Sequence, residues 1–274
     1  MDLTLPRIVG ASLDLPETGP LEATWLGRCA YREIWAMQKI LAGRRASGSI
    51  GDRLLLVEHD QVLTLGRHAD ETHVRASVAE LARREIEVIR VERGGEVTYH
   101  GPGQLVAYPI IALGRRGLLV RPLVRALETA MAATCAAFGI TAGRRDGHPG
   151  SWIDPDGPDP RKIGALGIRV ERGVSYHGIA LNIDPDLTDF ELIDACGLPG
   201  TVSTSIAFEA GWPALPASAA PERTATVERA AGSFARAFAR AIDVRLVGFG
   251  SGPEVLSAAA PAPAPGPAPA AAAH

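Results

Sequence analysis

The amino-acid sequence predicts a single α/β domain in which helices pack on a mixed β-sheet. Three observations lead to this fold class. β-type runs follow one another along much of the chain and do not alternate strictly with helices, which favours a mixed sheet. Three long amphipathic segments can cover its faces. The 274 residues contain no internal repeat and no second core-sized boundary, and 46% of them are hydrophobic, enough for a substantial core.

The first half of the chain is expected to contribute two helices and four strands. Residues 1–20 have no clear period and are predicted to be irregular. Residues 26–45 are predicted to be helical, with Cys29 near the start and one apolar face made by Ala30, Ile34, Met37 and Leu41. In "SVAEL", Ser77 and Glu80 form a capping box that opens a short helix to about Glu85. The predicted strands are 53–58, 62–65, 87–92 and 104–113.

The second half is expected to supply two further helices, a strand pair and a last strand. Pro122 and Gly139 suit the first turn and the end of a helix over 121–139. Its predicted inner stripe is Val124, Leu127, Met131, Thr134, Cys135 and Phe138, which makes Cys135 a buried thiol. Residues 147–162 are predicted to form a hairpin loop, followed by paired strands at 162–170 and 175–183. The third amphipathic helix, 224–242, is predicted to turn inward Val227, Ala231, Phe234, Phe238 and Ile242, and 243–249 is the last predicted strand.

Beyond Gly250 the composition changes to Ala and Pro. Such a low-complexity segment does not bury enough apolar surface to order itself. We therefore predict a catalytic or binding domain over residues 1–250 and a disordered tail over 251–274.

Charge and apolar runs exclude several classes of protein. The chain carries 28 basic and 31 acidic residues, a net charge of −3, which argues against a nucleic-acid binder. It contains no apolar run long enough to span a membrane, and "MDLTLPRIVG" does not resemble a signal peptide. We therefore expect a cytoplasmic protein that does not act at a membrane. In that compartment, three cysteines with no C-x-x-C or Cys/His spacing predict neither a disulfide nor a metal site.

One candidate site segment is "RGGEVTYHGPGQ", residues 93–104. Its glycines would let the backbone approach a ligand closely and expose N–H donors. It is neither a P-loop nor a dinucleotide fingerprint, because no Gly-Lys-Ser/Thr follows and the glycine spacing differs. A glycine-rich turn without function is the alternative interpretation of the same composition.

Lys162 is a second candidate because lysine is scarce in this chain. The only other lysine is Lys39, and the remaining 26 basic residues are arginines. A desolvated lysine can act as a base near neutral pH, whereas arginine stays protonated. The alternative is a solvated lysine at the start of a strand. His177, on the opposing strand, is in the same way either a packing residue or part of a site.

Cys196, in "DACGLPGTVSTSI", is the third candidate and a weak one by itself. Thr188 and Glu191 form a possible capping box for a short helical turn ending near Cys196, with Gly197 as its stop. No lysine or arginine lies within ten residues, so a reactive thiolate would need a partner from elsewhere in the fold.

Together, these segments resemble the octanoyl-(acyl-carrier-protein):protein N-octanoyltransferase family, also called lipoate-protein ligase B. "RGGEVTYHGPGQLVAYPI" resembles its signature, and "LLLVEHDQVLTLGR" resembles its upstream strand pair. "GSWID", "RKIGALGIRVERGVSYHGIALNI" and "FELIDACGL" resemble its lysine, His-Gly-x-Ala-x-Asn and cysteine segments. The resemblance runs from about Leu26 to Phe249 and implies a biotin/lipoate protein ligase-like fold. It departs from the family pattern at Asp60-Gln61, Ser151 and Asp194-Ala195, which lie beside the motifs.

The resemblance implies a role for each matched residue. Cys196 matches the acyl-accepting nucleophile and Lys162 the base that activates it. Three segments match the acyl-substrate site, and they consist of Arg93, Gly94, Gly95, Glu96, Val97, Thr98, Tyr99 and His100, then Ala165, Leu166 and Gly167, then Gly178, Ile179 and Ala180. His177 is a possible orienting residue.

The implied reaction moves an octanoyl or lipoyl group from acyl carrier protein to a lysine of a lipoyl domain, in 2-oxoacid dehydrogenases or the glycine cleavage H protein. It needs no cofactor and no metal, because the donor is already a thioester, and we expect a monomer. The partners are expected to be acidic, and charge alone suggests that Arg115, Arg116, Arg121 and Arg125, or Arg144 and Arg145, could dock one of them. The rival interpretations are an ATP-dependent lipoate or biotin ligase, a non-catalytic acyl binder and a cysteine hydrolase.

Overall fold

The computed structural model describes residues 19–194, 200–213 and 219–251. Twelve strands lie within these residues, namely β1 (Leu21–Cys29), β2 (Asp52–His59), β3 (Val62–Leu65), β4 (Glu87–Arg90), β5 (Val97–His100), β6 (Gln104–Ile110), β7 (Gly143–Arg145), β8 (His148–Ile153), β9 (Arg161–Glu171), β10 (Val174–Asn182), β11 (Val202–Ser203) and β12 (Leu246–Ser251). The α-helices of the same residues are α1 (Tyr31–Ser47), α2 (Val78–Arg83), α3 (Val120–Ala136), α4 (Ile206–Glu209) and α5 (Ala220–Ala241). Short 3₁₀ turns occupy Glu71–His73, Gly114–Arg116 and Leu187–Leu192.

The main sheet is mixed, as predicted. Its strand order is β12-β1-β2-β6-β10-β9-β8-β7, with β11 paired to β9. The β12, β1 and β2 strands run parallel, and the pairs from β2 to β7 are antiparallel. In the β9–β10 hairpin, Val174 faces Glu171 across the turn, which confirms the predicted strand pair.

Helices cover both faces of the main sheet. Leu54 and Leu56 of β2 join the core beneath α3 and α5, whereas Leu55 and Val57 join the core beneath α1. This alternation is what a strand buried on both faces requires, since successive side chains point to opposite sides. Both cores are rich in aliphatic residues, and β10 lies in the middle of the sheet between β6 and β9.

A second, smaller sheet with the order β4-β3-β5 lies beside the main one. Its core includes Leu81 of α2 and Leu192 of the turn Leu187–Leu192. The predicted cap of α2 is confirmed, because the backbone N–H of Glu80 donates to Ser77 Oγ at 3.2 Å. The turn Leu187–Leu192 has a different cap from the predicted Thr188–Glu191 box, since Asp186 accepts the N–H of Thr188 at 3.0 Å.

Several elements differ from the predictions. Residues 26–29, predicted to open the first helix, instead belong to β1 (Leu21–Cys29), so Cys29 ends a strand and α1 begins at Tyr31. The glycine-rich segment contains β5, and the predicted loop 147–162 contains β8. These strands are short or lie where glycine interrupts the apolar pattern, and they form because partner strands accept their hydrogen bonds.

The inner face of α3 also differs from the predicted one. Leu127, Met131 and Cys135 are fully buried as predicted, but Val124 is half-exposed and Glu128 is only 5% exposed. The inner residues Val227, Phe234 and Phe238 of α5 are confirmed.

The predicted arginine cluster around residue 115 does not form one free basic surface. The Arg116 guanidinium is buried against the Asp52 carboxylate and joins the turn Gly114–Arg116 to β2. Arg116 is therefore a structural residue. In the part of the chain that the structure describes, no helix is both long and apolar enough to cross a bilayer.

Candidate active site

One cavity of about 330 Å³ brings together most of the residues that the sequence singled out. It lies between the glycine-rich segment and the middle strands β9 and β10. The predicted residues that line it are Arg93, Gly95, Glu96, Val97, Thr98, His100, Lys162, Ala165, Leu166, Gly167, His177, Gly178, Ile179 and Ala180. Segments more than 80 positions apart thus meet at a single site.

Two predicted residues do not line this cavity. Gly94 serves the backbone, since its N–H donates to the Ile168 carbonyl of β9 at 3.1 Å. Tyr99 is buried in the core of the small sheet, and its hydroxyl donates to Asp189 Oδ2 at 2.6 Å. Both residues attach the glycine-rich segment to its surroundings, and neither contributes to the cavity wall.

Sequence reasoning missed six residues of the wall. They are Tyr31, Val106, Tyr108, Gly147, His148 and Pro149. Tyr31 and Tyr108 come from α1 and β6, whose apolar patterns indicate only core positions. Only the order of strands in the sheet brings them to the cavity, so no local signal could have identified them.

Lys162 lies at the end of the cavity formed by residues 147–149. Its side chain is largely buried, with the residue 7% exposed, and Nζ donates to the Pro149 carbonyl oxygen at 3.2 Å. The same nitrogen lies 4.9 Å from the centroid of the Trp152 ring, within cation–π range. The sequence alternative of a solvated lysine is therefore wrong.

Close backbone approach explains two of the glycines. A Cβ on Gly178 would lie 1.9 Å from the Ala107 carbonyl oxygen of the neighbouring strand β6. A Cβ on Gly167 would lie 2.6 Å from the Gly94 carbonyl oxygen. The glycine-rich segment can thus pack directly on β9 only because residue 167 has no side chain.

Arg93 fixes the other side of the glycine-rich segment. Its Nη2 donates to the Thr64 carbonyl at 2.7 Å and to Thr64 Oγ1 at 2.9 Å, and its Nη1 donates to the Gly94 carbonyl at 3.1 Å. The planar guanidinium reaches these acceptors together, which a lysine ammonium cannot do.

The end of the cavity opposite Lys162 holds neutral histidines. Burial lowers the pKa of His100 to about 3, and the pKa of His177 likewise falls to about 3. His100 Nδ1 donates a hydrogen bond to Gln104 Oε1 at 2.8 Å, and the His100 ring stacks on Tyr31. Behind them, burial lowers the pKa of His59 to about 4. These rings therefore stay uncharged near neutral pH.

Cys196 lies outside the described residues, but both flanks of its segment are anchored. On one side, the N–H of Asp194 donates to the His73 carbonyl at 2.8 Å. On the other, Ser203 pairs with Lys162 in the β11–β9 ladder, and the N–H of Thr204 donates to the Lys162 carbonyl at 2.9 Å. The chain that carries Cys196 thus returns to the main sheet beside Lys162.

The other two cysteines are free thiols. Burial raises the pKa of Cys135 to about 12, which confirms it as an inert core residue. Burial also raises the pKa of Cys29, whose thiol donates to the Leu26 carbonyl at 3.3 Å. Within residues 19–194, 200–213 and 219–251, no three His, Cys, Asp or Glu side chains are grouped so that they could hold a metal ion.

Comparison with known proteins gives consistent results at the levels of sequence and fold. The octanoyltransferase of Chloroflexus aurantiacus is 46% identical over 192 residues, which cover 70% of this chain and 85% of that protein. The octanoyltransferase of Acidobacterium capsulatum is 43% identical over 223 residues, covering 78% and 87%.

Among solved structures, the bipartite lipoate protein ligase of Thermoplasma acidophilum superposes with a TM-score of 0.61 at 12% identity, over 88% of this chain and 89% of that one. Lipoate-protein ligase A bound with ATP superposes with a TM-score of 0.57 at 14% identity, over 88% and 92%. These likenesses confirm the predicted fold. A family described as the lipoyl protein ligase A/B catalytic domain matches residues 30–210. With more than half of its length matched, the chain belongs to the lipoyl protein ligase A/B catalytic domain family.

Proposed function

We propose that this protein transfers an octanoyl group from a thioester donor to a lysine side chain of an acceptor protein. The observation that carries the proposal is the cavity, in which a buried lysine meets a largely apolar wall between anchored strands. The octanoyltransferase names of relatives at 43–48% identity support the same reaction.

The wall of the cavity suits an unbranched acyl chain. Val97, Val106 and Leu166 present aliphatic carbon, and Gly167 and Gly178 leave room between them. An apolar chain that leaves water for such a wall gains about 0.8 kcal/mol for each buried CH₂ group. Seven carbon atoms beyond the thioester carbonyl would therefore supply several kcal/mol of binding free energy.

The proposed reaction has two acyl transfers. In the first, the Cys196 thiolate attacks the thioester carbonyl, the C–S bond to the carrier breaks, and the carrier thiolate leaves. In the second, the amine of the acceptor lysine attacks the new thioester at Cys196, an amide forms, and the Cys196 thiolate is released. Neither step consumes ATP, because the donor thioester is already activated.

Lys162 is the proposed base for both transfers. It would take the proton of the Cys196 thiol, return it to the leaving carrier thiolate, and then accept a proton from the attacking amine. Its burial, and the return of the chain to β9 at Ser203, support this role. Backbone N–H groups of the glycine-rich segment or of Gly167 are the proposed donors to the oxyanion.

The proposed donor is octanoyl-acyl carrier protein, and the proposed acceptors are lipoyl domains. The lipoylation-system relatives support partners of this general class. The cytoplasmic location and the monomeric state stay predictions from the sequence.

Intact-mass measurement tests the function. The protein is mixed with octanoyl-acyl carrier protein without ATP, and we expect a gain of one octanoyl group on the wild type. Cys196→Ala should show no gain, whereas Cys135→Ala, a matched change at a buried thiol, should still be acylated. Octanoylation of an added lipoyl domain should then discharge the acyl-enzyme.

Other outcomes identify the rivals. Loading of free octanoate only in the presence of ATP would show a ligase instead of a transferase. Release of free octanoate without an acceptor domain would show a cysteine hydrolase. Binding of the acyl donor without any covalent gain would show a non-catalytic binder.

A further inference from the structure

A buried carboxylate on α3 lies behind the lysine end of the cavity. Glu128 is only 5% exposed although it carries a charge, and its Oε1 accepts the backbone N–H of Gly150 at 3.2 Å. Buried carboxylates are costly unless they are paired or hydrogen-bonded. Its other oxygen, Oε2, has no hydrogen bond to the described residues and lies 3.7 Å from Arg125 Nη1.

Glu128 and Lys162 bind the two ends of the same peptide group. The N–H of Gly150 points to Glu128, and the carbonyl of Pro149, which belongs to the same peptide bond, accepts from Lys162 Nζ at 3.2 Å. A negative group at the N–H polarises a peptide and makes its carbonyl oxygen a stronger acceptor for a cation. The chain of contacts therefore runs from carboxylate to peptide to ammonium without a gap.

The local backbone makes this peptide hard to move. Gly150 has a φ of +126°, a conformation open only to glycine, and a Cβ there would lie 2.3 Å from the Gly164 carbonyl oxygen and 3.3 Å from Lys162 Cε. This part of β8 thus packs against the lysine side chain on one side and against Glu128 on the other.

We propose that Glu128 is a positioning residue for Lys162, which it orients through the Pro149–Gly150 peptide. The carboxylate holds the N–H of this peptide, and the fixed carbonyl holds Nζ beside residues 147–149. The contact chain from Glu128 to Lys162 is independent of the proposed function, but its importance for catalysis rests on that function.

Other charged and titratable groups surround the pair. Arg125 faces Glu128, and Arg145 lies 5.4 Å from the Trp152 ring that also faces Lys162. The cavity adds Arg93, Glu96, His100, His148 and His177. Beside Lys162 on β9, Arg161 is paired with Glu209 of α4.

The scarcity of lysine makes a direct test possible. In a Lys39→Arg background, Lys162 is the only lysine, so protein labelled with ¹³C at lysine Cε gives one side-chain signal. A nuclear Overhauser contact between the Cε protons of this lysine and the Cα protons of Gly150 reports whether the side chain stays against the Pro149–Gly150 peptide. Circular dichroism shows that each variant stays folded.

Glu128→Gln removes the charge but keeps an oxygen for Gly150. Hydrogen bonds to a charged group are the stronger ones, so the peptide should be held less firmly and the Lys162–Gly150 contact should be partly lost. Glu171→Gln is the matched control, since Glu171 lies nine positions from Lys162 on β9, about 30 Å away, and it should leave the contact unchanged. An undiminished contact in Glu128→Gln would overturn the proposal.

Two further measurements keep the test decisive. Glu128→Asp retains the charge, so it should keep more of the Lys162–Gly150 contact than Glu128→Gln, and the reverse order contradicts the proposal. In octanoyl transfer, Glu128→Gln should lower kcat with KM changed little. A contact that weakens in Glu128→Gln, in a protein whose wild type transfers no octanoyl group, would retain the link and reject the proposed function.

Discussion

The two ends of the cavity differ in how they hold their polar groups. At one end, Lys162 contacts a carbonyl, an aromatic face and, through one peptide, a carboxylate. At the other, burial keeps His100 and His177 uncharged. Because His177 pairs with Ile168, six positions from Lys162 along β9, the two ends are about 20 Å apart along the strand.

The number of titratable residues at one end of the cavity therefore does not show which residue acts as the base. Histidine is the usual candidate for a base near neutral pH, yet the buried rings here have pKa values too low for that role. The proposed base is instead Lys162, whose nitrogen is held at the other end of the cavity by the Pro149 carbonyl and the Trp152 ring. The neutral histidines are suited to orient a substrate.

The largest expected effect comes from the lysine end. Lys162→Gln should slow octanoyl transfer by about 10²–10⁴-fold, the usual contribution of a general base. Lys39→Gln, a change at the only other lysine of the chain, should leave the rate unchanged. Single-turnover transfer to a lipoyl domain measures both rates. A Lys162→Gln variant with the wild-type rate would remove the proposed difference between the two ends.

The histidine end should be the more sensitive to added volume. Gly178→Ala places a methyl group 1.9 Å from the Ala107 carbonyl and should cost about 3 kcal/mol of the free energy of unfolding, as over-packing in a rigid core does. Gly114→Ala is the control, since a Cβ there meets nothing within 4 Å. Urea unfolding compares them. Equal stabilities would show that β6 and β10 can separate without cost.

Arg93→Lys should weaken the attachment of the glycine-rich segment to Thr64 of β3, between the two ends of the cavity. The variant keeps the charge but loses the forked contacts with Thr64, so we expect about 1–3 kcal/mol of destabilisation. The same urea experiment measures it, with Arg67→Lys at an exposed position as the control. A loss as small as that of Arg67→Lys would show that charge alone holds the glycine-rich segment.

The smallest effect concerns acid stability. His100 has a folded-state pKa far below its unfolded value of 6.5, so the unfolded chain binds the proton and stability falls as pH drops from about 6.5 toward about 3. From pH 6.5 to pH 5.5, each such histidine removes about 1 kcal/mol of the free energy of unfolding. His100→Gln should lose less stability over that interval than the wild type.

The exposed His68 provides the comparison for this measurement. His68→Gln, a change at an exposed histidine, should follow the wild-type dependence of the unfolding free energy on pH. If His100→Gln and His68→Gln gave the same curve, the histidine end would not be held neutral by burial.

The sequence predicts those parts of the molecule whose signals are local. The helices, the β9–β10 hairpin and the Ser77 cap follow from periodicity, turn residues and capping. Strand β1 was missed because its hydrogen bonds depend on β2 and β12, far away in the chain. A pairing between distant segments leaves no periodic trace within either one.

The residues of the site likewise divide into those with a local sequence signal and those that only the fold brings together. The resemblance selected Lys162 and most of the cavity wall, but not Tyr31 or Tyr108, which reach it only through the order of strands. Glu128 was missed for another reason, because it lies next to Leu127 on the predicted apolar stripe of α3, where a charged residue is normally assigned to the solvent face. Only the bond to Gly150 shows why it is buried.

The parallel pairing of β1 with β12 has a consequence for synthesis on the ribosome. Leu21 faces Leu246, so the first strand to emerge must wait for one of the last before this side of the sheet is complete. Until then β1, whose Leu21, Ala23 and Trp25 are buried in the finished fold, can pair only with β2 and leaves its other edge open to other chains. A nascent chain that stalls before Leu246 would therefore expose this edge to intermolecular strand pairing.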